Sequence, residues 1–264
     1  MRIVVCVKHV PDATGKRTFD PADNTVDRAG VDGLLSELDE YPIEEALRIA
    51  GDDGEVVVLT VGPDQALDAA RKALQMGAHA AVHVCDDALA GSDAPATSLV
   101  LAKAVEKVGD SGGGAVDLVL CGMASTDGAM GVVPAMLAER LGVPMLTFAA
   151  EVSVDGDLVT VRRDGDVAIE TVEARLPLVV SVTDQINEPR YPSFKGIMAA
   201  KKKPVETWSL ADLGVDPNLV GLAAAWCQVE SFTARPPRSQ GTVVIDEGDG
   251  GTKLADYLAA QKFI

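Results

Sequence analysis

Short β-branched runs alternate with amphipathic helical patterns through the first half of the chain, and this alternation constrains the fold most. The runs are Ile3 to Val7, Glu55 to Val61, Ala80 to Val84 and Asp117 to Cys121. The segments between them, "YPIEEALRIAG", "PDQALDAARKALQMGA" and "DAPATSLVLAKAVEKVG", carry apolar residues at helical spacing. Because parallel strands need crossover connections, the pattern predicts an α/β fold built on a parallel sheet.

A different rhythm begins near Ala149, where apolar and polar residues alternate with a period of two. Asp155-Gly156 and Asp164-Gly165 are turn signals within it. We therefore expect an antiparallel excursion from the central sheet. It ends in "LPLVVSV" (176–182), an uninterrupted apolar run that predicts a strand buried on both faces and returned to that sheet.

The chain loses both rhythms after Pro204 and keeps only one last amphipathic helix near its end. We therefore predict a domain over residues 1–203 and an extended tail over residues 204–264. A tail without a core of its own must lie against something. From periodicity alone, packing on its own domain and packing on a partner both stay open.

The charge balance excludes some classes of partner. Twenty-three Lys and Arg against forty Asp and Glu give a formal net charge of -17, which opposes binding to nucleic acid and to anionic membrane. No apolar run approaches the length of a membrane span, and the run at the start is too short for a signal peptide. The four cysteines are far apart and favour a reducing compartment. We expect a cytoplasmic protein without membrane insertion.

The segment from Leu120 to Gly142 is a strand end, a polar glycine-containing loop and then an apolar helix. Ligands bind at the carboxyl ends of parallel strands, and a helix N-terminus favours phosphate, so this loop is a candidate nucleotide phosphate site. The alternative is that Ser125, Thr126 and Asp127 only cap the helix. The loop matches neither of the usual glycine-rich phosphate fingerprints.

Other candidate chemistry is weak. His79 and His83 straddle the start of a predicted strand, where a spacing of four does not place both on one helical face, so we expect no metal site. Ser36 and Asp39 have the spacing of a capping box. The sequence shows neither a nucleophile with an evident partner base nor an acid–base pair. No catalytic residue is therefore predicted.

The stretch "NEPRYPSFKGIMAAKKK" (187–203) gathers positive charge in an acidic chain. Pro189 and Pro192 exclude a regular helix up to Pro192. Tyr191 and Phe194 are therefore predicted to be held outward on a firm backbone. Exposed aromatic anchors are typical of interface hot spots. The alternative is that Phe194 packs inward and the lysines are only solvated.

Several motifs together resemble the beta subunit of electron transfer flavoproteins. They are "IVVCVKHVPD" (3–12), "LDEYPIEEALRI" (38–49), "GPDQALDAARKALQMGAH" (62–79), "STDGAMGVVPAMLAERLG" (125–142) and "LPLVVSVTDQINEPRYPSFKGIMAAKKK" (176–203). The resemblance implies a Rossmann-like domain of the adenine nucleotide alpha hydrolase type. It also implies an electron carrier rather than an enzyme, in which FAD, shared with an alpha subunit, performs the redox chemistry.

The resemblance further implies that the domain buries AMP. The contacts would come from Cys6, Ser36, Glu37, Leu38, Asp39, Val61, Gly128, Ala129, Met130, Gly131, Val132, Val133, Pro134 and Ala135. In many relatives an acid and a glutamine stand where this chain has Ala129 and Val132, so backbone N–H groups are left to hold the phosphate.

The partners are implied in the same way. An alpha subunit would complete a heterodimer and receive the arm 204–264, acyl-CoA dehydrogenases of fatty acid β-oxidation would supply electrons, and a membrane quinone oxidoreductase would accept them. Stretch 187–203 resembles the loop that docks on the dehydrogenase. The partner-binding residues would be Arg190, Tyr191, Phe194, Lys195, Ile197, Met198, Lys201, Lys202 and Lys203.

Two alternatives stay open. Segments near the N-terminus also resemble the electron-bifurcating branch, whose beta subunit carries a second FAD in place of AMP and oxidises NADH. A stand-alone nucleotide-binding module is the other, although such a module needs neither the loop 187–203 nor the tail.

Overall fold

A computed structural model describes residues 1–111, 113–237, 241 and 243–264. The described residues form two compact units, Met1–Glu230 and Ser231–Ile264. The strands are β1 (Arg2–Cys6), β2 (His9–Pro11), β3 (Gly33–Leu35), β4 (Glu55–Val61), β5 (Ala80–Val84), β6 (Leu118–Gly122), β7 (Met145–Ala149), β8 (Glu151–Asp155), β9 (Leu158–Asp164), β10 (Ile169–Arg175), β11 (Leu178–Val182) and β12 (Val205–Trp208). The helices are α1 (Glu37–Ala50), α2 (Leu67–Met76), α3 (Ala94–Asp110), α4 (Val133–Leu141), α5 (Phe194–Ala200) and α6 (Gly250–Ala260).

A seven-stranded parallel sheet forms the centre of the first unit, in the order β12-β5-β4-β1-β6-β11-β7. The predicted α/β fold with a parallel sheet is confirmed. The four predicted strands correspond to β1, β4, β5 and β6, each shifted by at most one residue. Their β-branched residues, except the partly buried Val61, are buried because helices cover both faces of the sheet.

Two apolar clusters lie on opposite faces of this sheet. On one face, α1 and α2 pack through residues such as Ile43 and Leu74. On the other, α3 and α4 pack through residues such as Val100 and Leu137. The crossover helices predicted from apolar spacing are therefore confirmed as α1, α2 and α3.

The antiparallel excursion is also confirmed. Strands β8, β9 and β10 form a separate three-stranded sheet, and β9 buries Val159 and Val161 in the same cluster as α1 and α2. The chain then returns as β11, which is buried along its whole length between β6 and β7. A second small sheet pairs β2 with β3 and carries the excursion 12–32.

The predicted boundary at residue 204 differs from the structure. Strand β12 begins at Val205, pairs with β5 and buries Trp208, and the first unit continues to Glu230. Residues 205–230 therefore belong to the domain. In the second unit α6 buries none of its side chains, and residues 238–240 and 242 of the predicted arm lie outside the described residues.

Candidate functional site

The carboxyl ends of β4, β1 and β6 are neighbours in the sheet and bring several predicted nucleotide contacts together. Cys6 lies opposite Leu59 on one side and Cys121 on the other, and Val61 ends β4. Side chains at the ends of adjacent parallel strands share one edge of the sheet, where α/β proteins bind their ligands. Cys6, Val61 and the loop after β6 therefore meet at one edge.

The start of α1 is fastened to this edge through Lys8. The Ser36 N–H donates to the Lys8 carbonyl at 2.9 Å, and the Lys8 N–H donates to the Asp39 carboxylate at 2.8 Å. The predicted capping box is wrong, because Ser36 makes no side-chain cap and Asp39 accepts from Lys8. A Cβ on Gly122 would lie 2.7 Å from both Asp39 Oδ1 and the Leu38 carbonyl oxygen, so glycine is required for this approach.

Asp39 is an acid held in an unfavourable environment for charge. Only 6 % of it is exposed. Burial raises the pKa of Asp39 to about 7, against the opposing effects of the Lys8 N–H and ammonium, and the nearby Asp127 adds to the rise. Asp39 thus changes its protonation state near neutral pH at the edge where the predicted contacts meet.

The loop between β6 and α4 is organised by Asp127. Its carboxylate receives the Lys8 ammonium at 2.8 Å, the Arg28 guanidinium at 3.0 Å and the Gly128 N–H at 2.7 Å. Burial raises the pKa of Asp127, but Lys8, Ser125 and Arg28 outweigh burial and hold that pKa well below its ordinary value. Asp127 therefore stays charged and binds Lys8, Arg28 and the Gly128 N–H together.

The loop leads into α4 without a side-chain cap. The helix begins at Val133, its N-cap is Val132, and Ser125 and Asp127 bond within the loop instead. The alternative in which Ser125, Thr126 and Asp127 cap the helix is therefore wrong. The first turn of a helix leaves N–H groups without intrahelical partners, so this start can donate to a ligand.

Three basic residues around this loop were not predicted from the sequence. Lys8 and Arg28 bind Asp127, and Arg17 donates to the Thr126 carbonyl at 3.0 Å. Arg17 and Arg28 come from the excursion 12–32. The signal that could have found them is the presence of basic residues in an otherwise acidic segment, "KRTFDPADNTVDR".

Two buried hydroxyls near this edge lack hydrogen-bond partners among the described residues. They are Ser36 Oγ and Thr60 Oγ1, and both residues are fully buried. Buried polar groups are normally paired, so an orphaned hydroxyl calls for an explanation such as a ligand. Ser36 is one of the predicted AMP contacts.

His79 and His83 have structural roles. His79 Nδ1 accepts from the Val56 N–H at 3.0 Å, and His83 is 2 % exposed with Nε2 3.0 Å from the Gly62 carbonyl oxygen. Across the described residues, no group of three or more His, Cys, Asp or Glu side chains could hold a metal ion. No helix in the described ranges is long and apolar enough to cross a bilayer.

The stretch 187–203 is anchored to α1 at its start. Asn187 Nδ2 donates to Glu45 at 3.0 Å, and the Arg190 guanidinium binds both oxygens of the buried Glu44 at 2.6 and 3.0 Å. Burial raises the pKa of the Glu44 carboxyl. The bonds that this carboxyl accepts, those from Arg190 foremost, together outweigh burial and hold that pKa below its ordinary value. Arg190 therefore fixes the base of the stretch.

The centre of this stretch points outward, as predicted. Tyr191 is 92 % exposed and Phe194 is 82 % exposed at the start of α5. Inward packing of Phe194, the alternative, is wrong. The other predicted partner-binding residues that are exposed are Arg190, Lys195, Ile197, Met198, Lys201 and Lys202.

Lys203 is a correction to the predicted basic cluster. Its Nζ donates to the carbonyl oxygens of Leu74, Gly77 and Ala78 at 3.0, 3.0 and 2.6 Å. These carbonyls are at the C-terminal end of α2, where a cation satisfies groups that the helix leaves unpaired. Lys203 therefore caps α2, and Lys201 and Lys202 are the exposed lysines.

The fold and the carboxyl-edge site define a Rossmann-like α/β protein. A family model for the electron transfer flavoprotein domain matches residues 23–213. The chain is 47 % identical, over 99 % of both chains, to the electron transfer flavoprotein subunit beta of Mycobacterium tuberculosis. It is 36 % identical over the whole of both chains to the subunit of the same name from Megasphaera elsdenii.

A third relative is the caffeyl-CoA reductase-Etf complex subunit CarD of Acetobacterium woodii, which is 36 % identical over 92 % of both chains. The chain belongs to the beta-subunit family of electron transfer flavoproteins. Its general function is electron transport as a subunit of a flavoprotein.

Proposed function

We propose that this chain pairs with an alpha subunit, buries AMP at the carboxyl edge of its sheet and forms one side of the surroundings of a shared FAD. The observation that carries the AMP proposal is the convergence of Cys6, Val61, the start of α1 and the glycine-containing loop before α4 on one edge. This edge is the usual ligand position in parallel α/β sheets.

The residues at this edge fit an adenine nucleotide. The first turn of α4 offers the N–H groups of Val133 and Ala135 to a phosphate. Lys8 adds positive charge beside the loop, where its Nζ would lie 3.8 Å from a Cβ on Gly128. The orphaned Ser36 hydroxyl supplies a further polar group. Ala129 and Val132 contribute no polar side chain, so backbone donors and Lys8 would hold the charge.

The shared FAD would supply the redox chemistry when bound, and this chain would contribute position and shielding from water. Residues 231–264 support an alpha interface, because α6 buries none of its side chains. Its apolar residues Leu254 and Tyr257 are 58 % and 53 % exposed. Apolar side chains of this kind are normally covered by a partner.

The electron donors in this proposal are acyl-CoA dehydrogenases of fatty acid β-oxidation, and the acceptor is a membrane quinone oxidoreductase. The stretch 187–203 would dock on the dehydrogenase, with its base fixed by Arg190 and its exposed tip formed by Tyr191 and Phe194. Pre-ordering such a loop reduces the entropy cost of binding. A cytoplasmic location completes the proposal.

A second candidate is an electron-bifurcating subunit with a second FAD at the same edge that oxidises NADH. It is favoured by the resemblance of the N-terminal segments to that branch. Arg17 and Arg28 beside the loop would suit the two linked phosphates of a dinucleotide.

Nucleotide analysis of the purified heterodimer separates the two candidates. The chain co-expressed with its alpha partner should give a yellow heterodimer that releases one FAD and one AMP on denaturation, while the chain expressed alone should lack flavin. Chromatography of the released nucleotides measures both. Two FAD and no AMP would replace the carrier by the bifurcating candidate, and a stable flavin-replete monomer would overturn both.

A further inference from the structure

Strand β7 contains one more residue than its partner at the point where it ends. Val180 pairs with Leu146 and Val182 pairs with Ala149, so Thr147 and Phe148 lie opposite the single residue Ser181. An extra residue of this kind is a β-bulge, and bulges re-aim a side chain next to functional sites. The bulge is at the same carboxyl edge as the loop before α4.

Phe148 takes an unusual backbone conformation at this bulge. Its φ is +57°, in the left-handed region that side chains other than glycine, asparagine and aspartate rarely adopt. Its N–H donates to Ser181 Oγ at 3.0 Å, and Ser181 is 1 % exposed. A buried hydroxyl therefore stabilises a conformation that is costly for an aromatic residue.

The ring of Phe148 is aimed at the loop before α4. A Cβ on Gly131 would lie 3.6 Å from Phe148 Cζ and 3.3 Å from the Met123 carbonyl oxygen. Gly131 has a φ of +65°, and Ala129 in the same loop has a φ of +51°. Phe148 remains 42 % exposed, so filling the core does not account for its strained backbone.

We infer that Phe148 is a positioning residue for the loop 128–132, a role that rests on the proposed nucleotide function of this loop. The Ser181 hydrogen bond holds Phe148 in its left-handed conformation, and the ring then occupies the space beside Gly131. With that space filled, the left-handed residues Ala129 and Gly131 keep the arrangement from which α4 starts.

The test compares Phe148→Gly with Phe148→Tyr in the full chain. Glycine adopts a φ of +57° without strain, so Phe148→Gly removes the ring while sparing the backbone. The N–H of Gly128 donates to Asp127 and that of Ala129 donates to the Ser125 carbonyl at 3.0 Å. Hydrogen exchange at these two amides, measured after removal of bound nucleotide, should become about tenfold faster in Phe148→Gly, a loss of local protection. Exchange in β1 and β6 should not change, and Phe148→Tyr should match wild type.

AMP titration by calorimetry gives the second readout. Phe148→Gly should weaken AMP binding about tenfold, and Phe148→Tyr should bind AMP as tightly as wild type. Unchanged exchange at Gly128 and Ala129 would overturn the inference, as would equal acceleration throughout the sheet. If the wild-type chain fails to bind AMP, the proposed function fails, but the exchange comparison still decides the role of Phe148.

Discussion

Asp39 is the residue whose protonation ties the carboxyl edge to pH. Its pKa of about 7 in the folded protein is above the unfolded value of about 4. A raised pKa means that the folded state binds the proton more tightly, so the stabilisation is present at low pH and is lost as pH rises through about 7. The free energy of unfolding should fall by roughly 2–3 kcal/mol between about pH 5 and about pH 8.

Asp39→Asn isolates this effect. The amide oxygen can still accept from the Lys8 N–H, but the side chain no longer titrates. Urea unfolding at several pH values measures both proteins, and the difference between them removes the contribution of the histidines. A wild-type profile parallel to that of Asp39→Asn would show that Asp39 is not the titrating group.

Single residues at the site were predicted unevenly from the sequence. Cys6 and Val61 were expected only because the resemblance implies them, and the structure places them at the carboxyl ends of β1 and β4. Lys8 and Asp127 were not paired, since 119 positions separate them and no local pattern relates them. Phe148 was missed because its backbone conformation depends on the pairing of β7 with β11.

At the scale of elements, the stretch 187–203 combines a fixed base with an exposed tip. Arg190 and Lys203 bind at either end, and Phe194 is 82 % exposed between them. Phe194→Ala should leave stability within about 0.5 kcal/mol of wild type, because an exposed side chain contributes little to folding. Reduction of the flavin by an acyl-CoA dehydrogenase should slow about tenfold at limiting protein, since a lost anchor mainly speeds dissociation.

Stopped-flow reduction of the heterodimer measures this rate. Val167→Ala is a matched control, because Val167 is 99 % exposed at the β9–β10 turn and lies outside the stretch. Flavin content should be equal in all three proteins. Equal rates for Phe194→Ala and wild type would remove the docking role from the tip.

Elements were predicted best where burial is complete. Strands β1, β4, β5 and β6 are short runs of mostly buried apolar residues, so their sequence identifies them. The edge strands β7 and β12 were missed. Only two of the five residues of β7 are buried, and three of the four residues of β12 are exposed, so neither carries the signal of a buried strand.

At the scale of the whole molecule, the two units differ in how they are stabilised. Among the described residues, Val220 is the last buried apolar residue in the chain, so the core lies within Met1–Glu230. The unit Ser231–Ile264 carries exposed Leu254, Tyr257 and Phe263 instead. Its stability therefore requires a surface that this part of the chain does not provide, and the alpha subunit is the partner we propose.

A chain ending at Glu230 tests this division. Because the core and all seven strands of the central sheet are retained, its free energy of unfolding should lie within about 1 kcal/mol of the full chain, as for other changes that spare the core. Co-expression with the alpha subunit should yield much less yellow heterodimer, because the apolar contacts of residues 231–264 are lost. Urea unfolding and size-exclusion chromatography measure the two effects separately. Loss of cooperative unfolding in the shortened chain would instead assign residues 231–264 to the fold of their own domain, and an undiminished heterodimer would exclude them from the alpha interface.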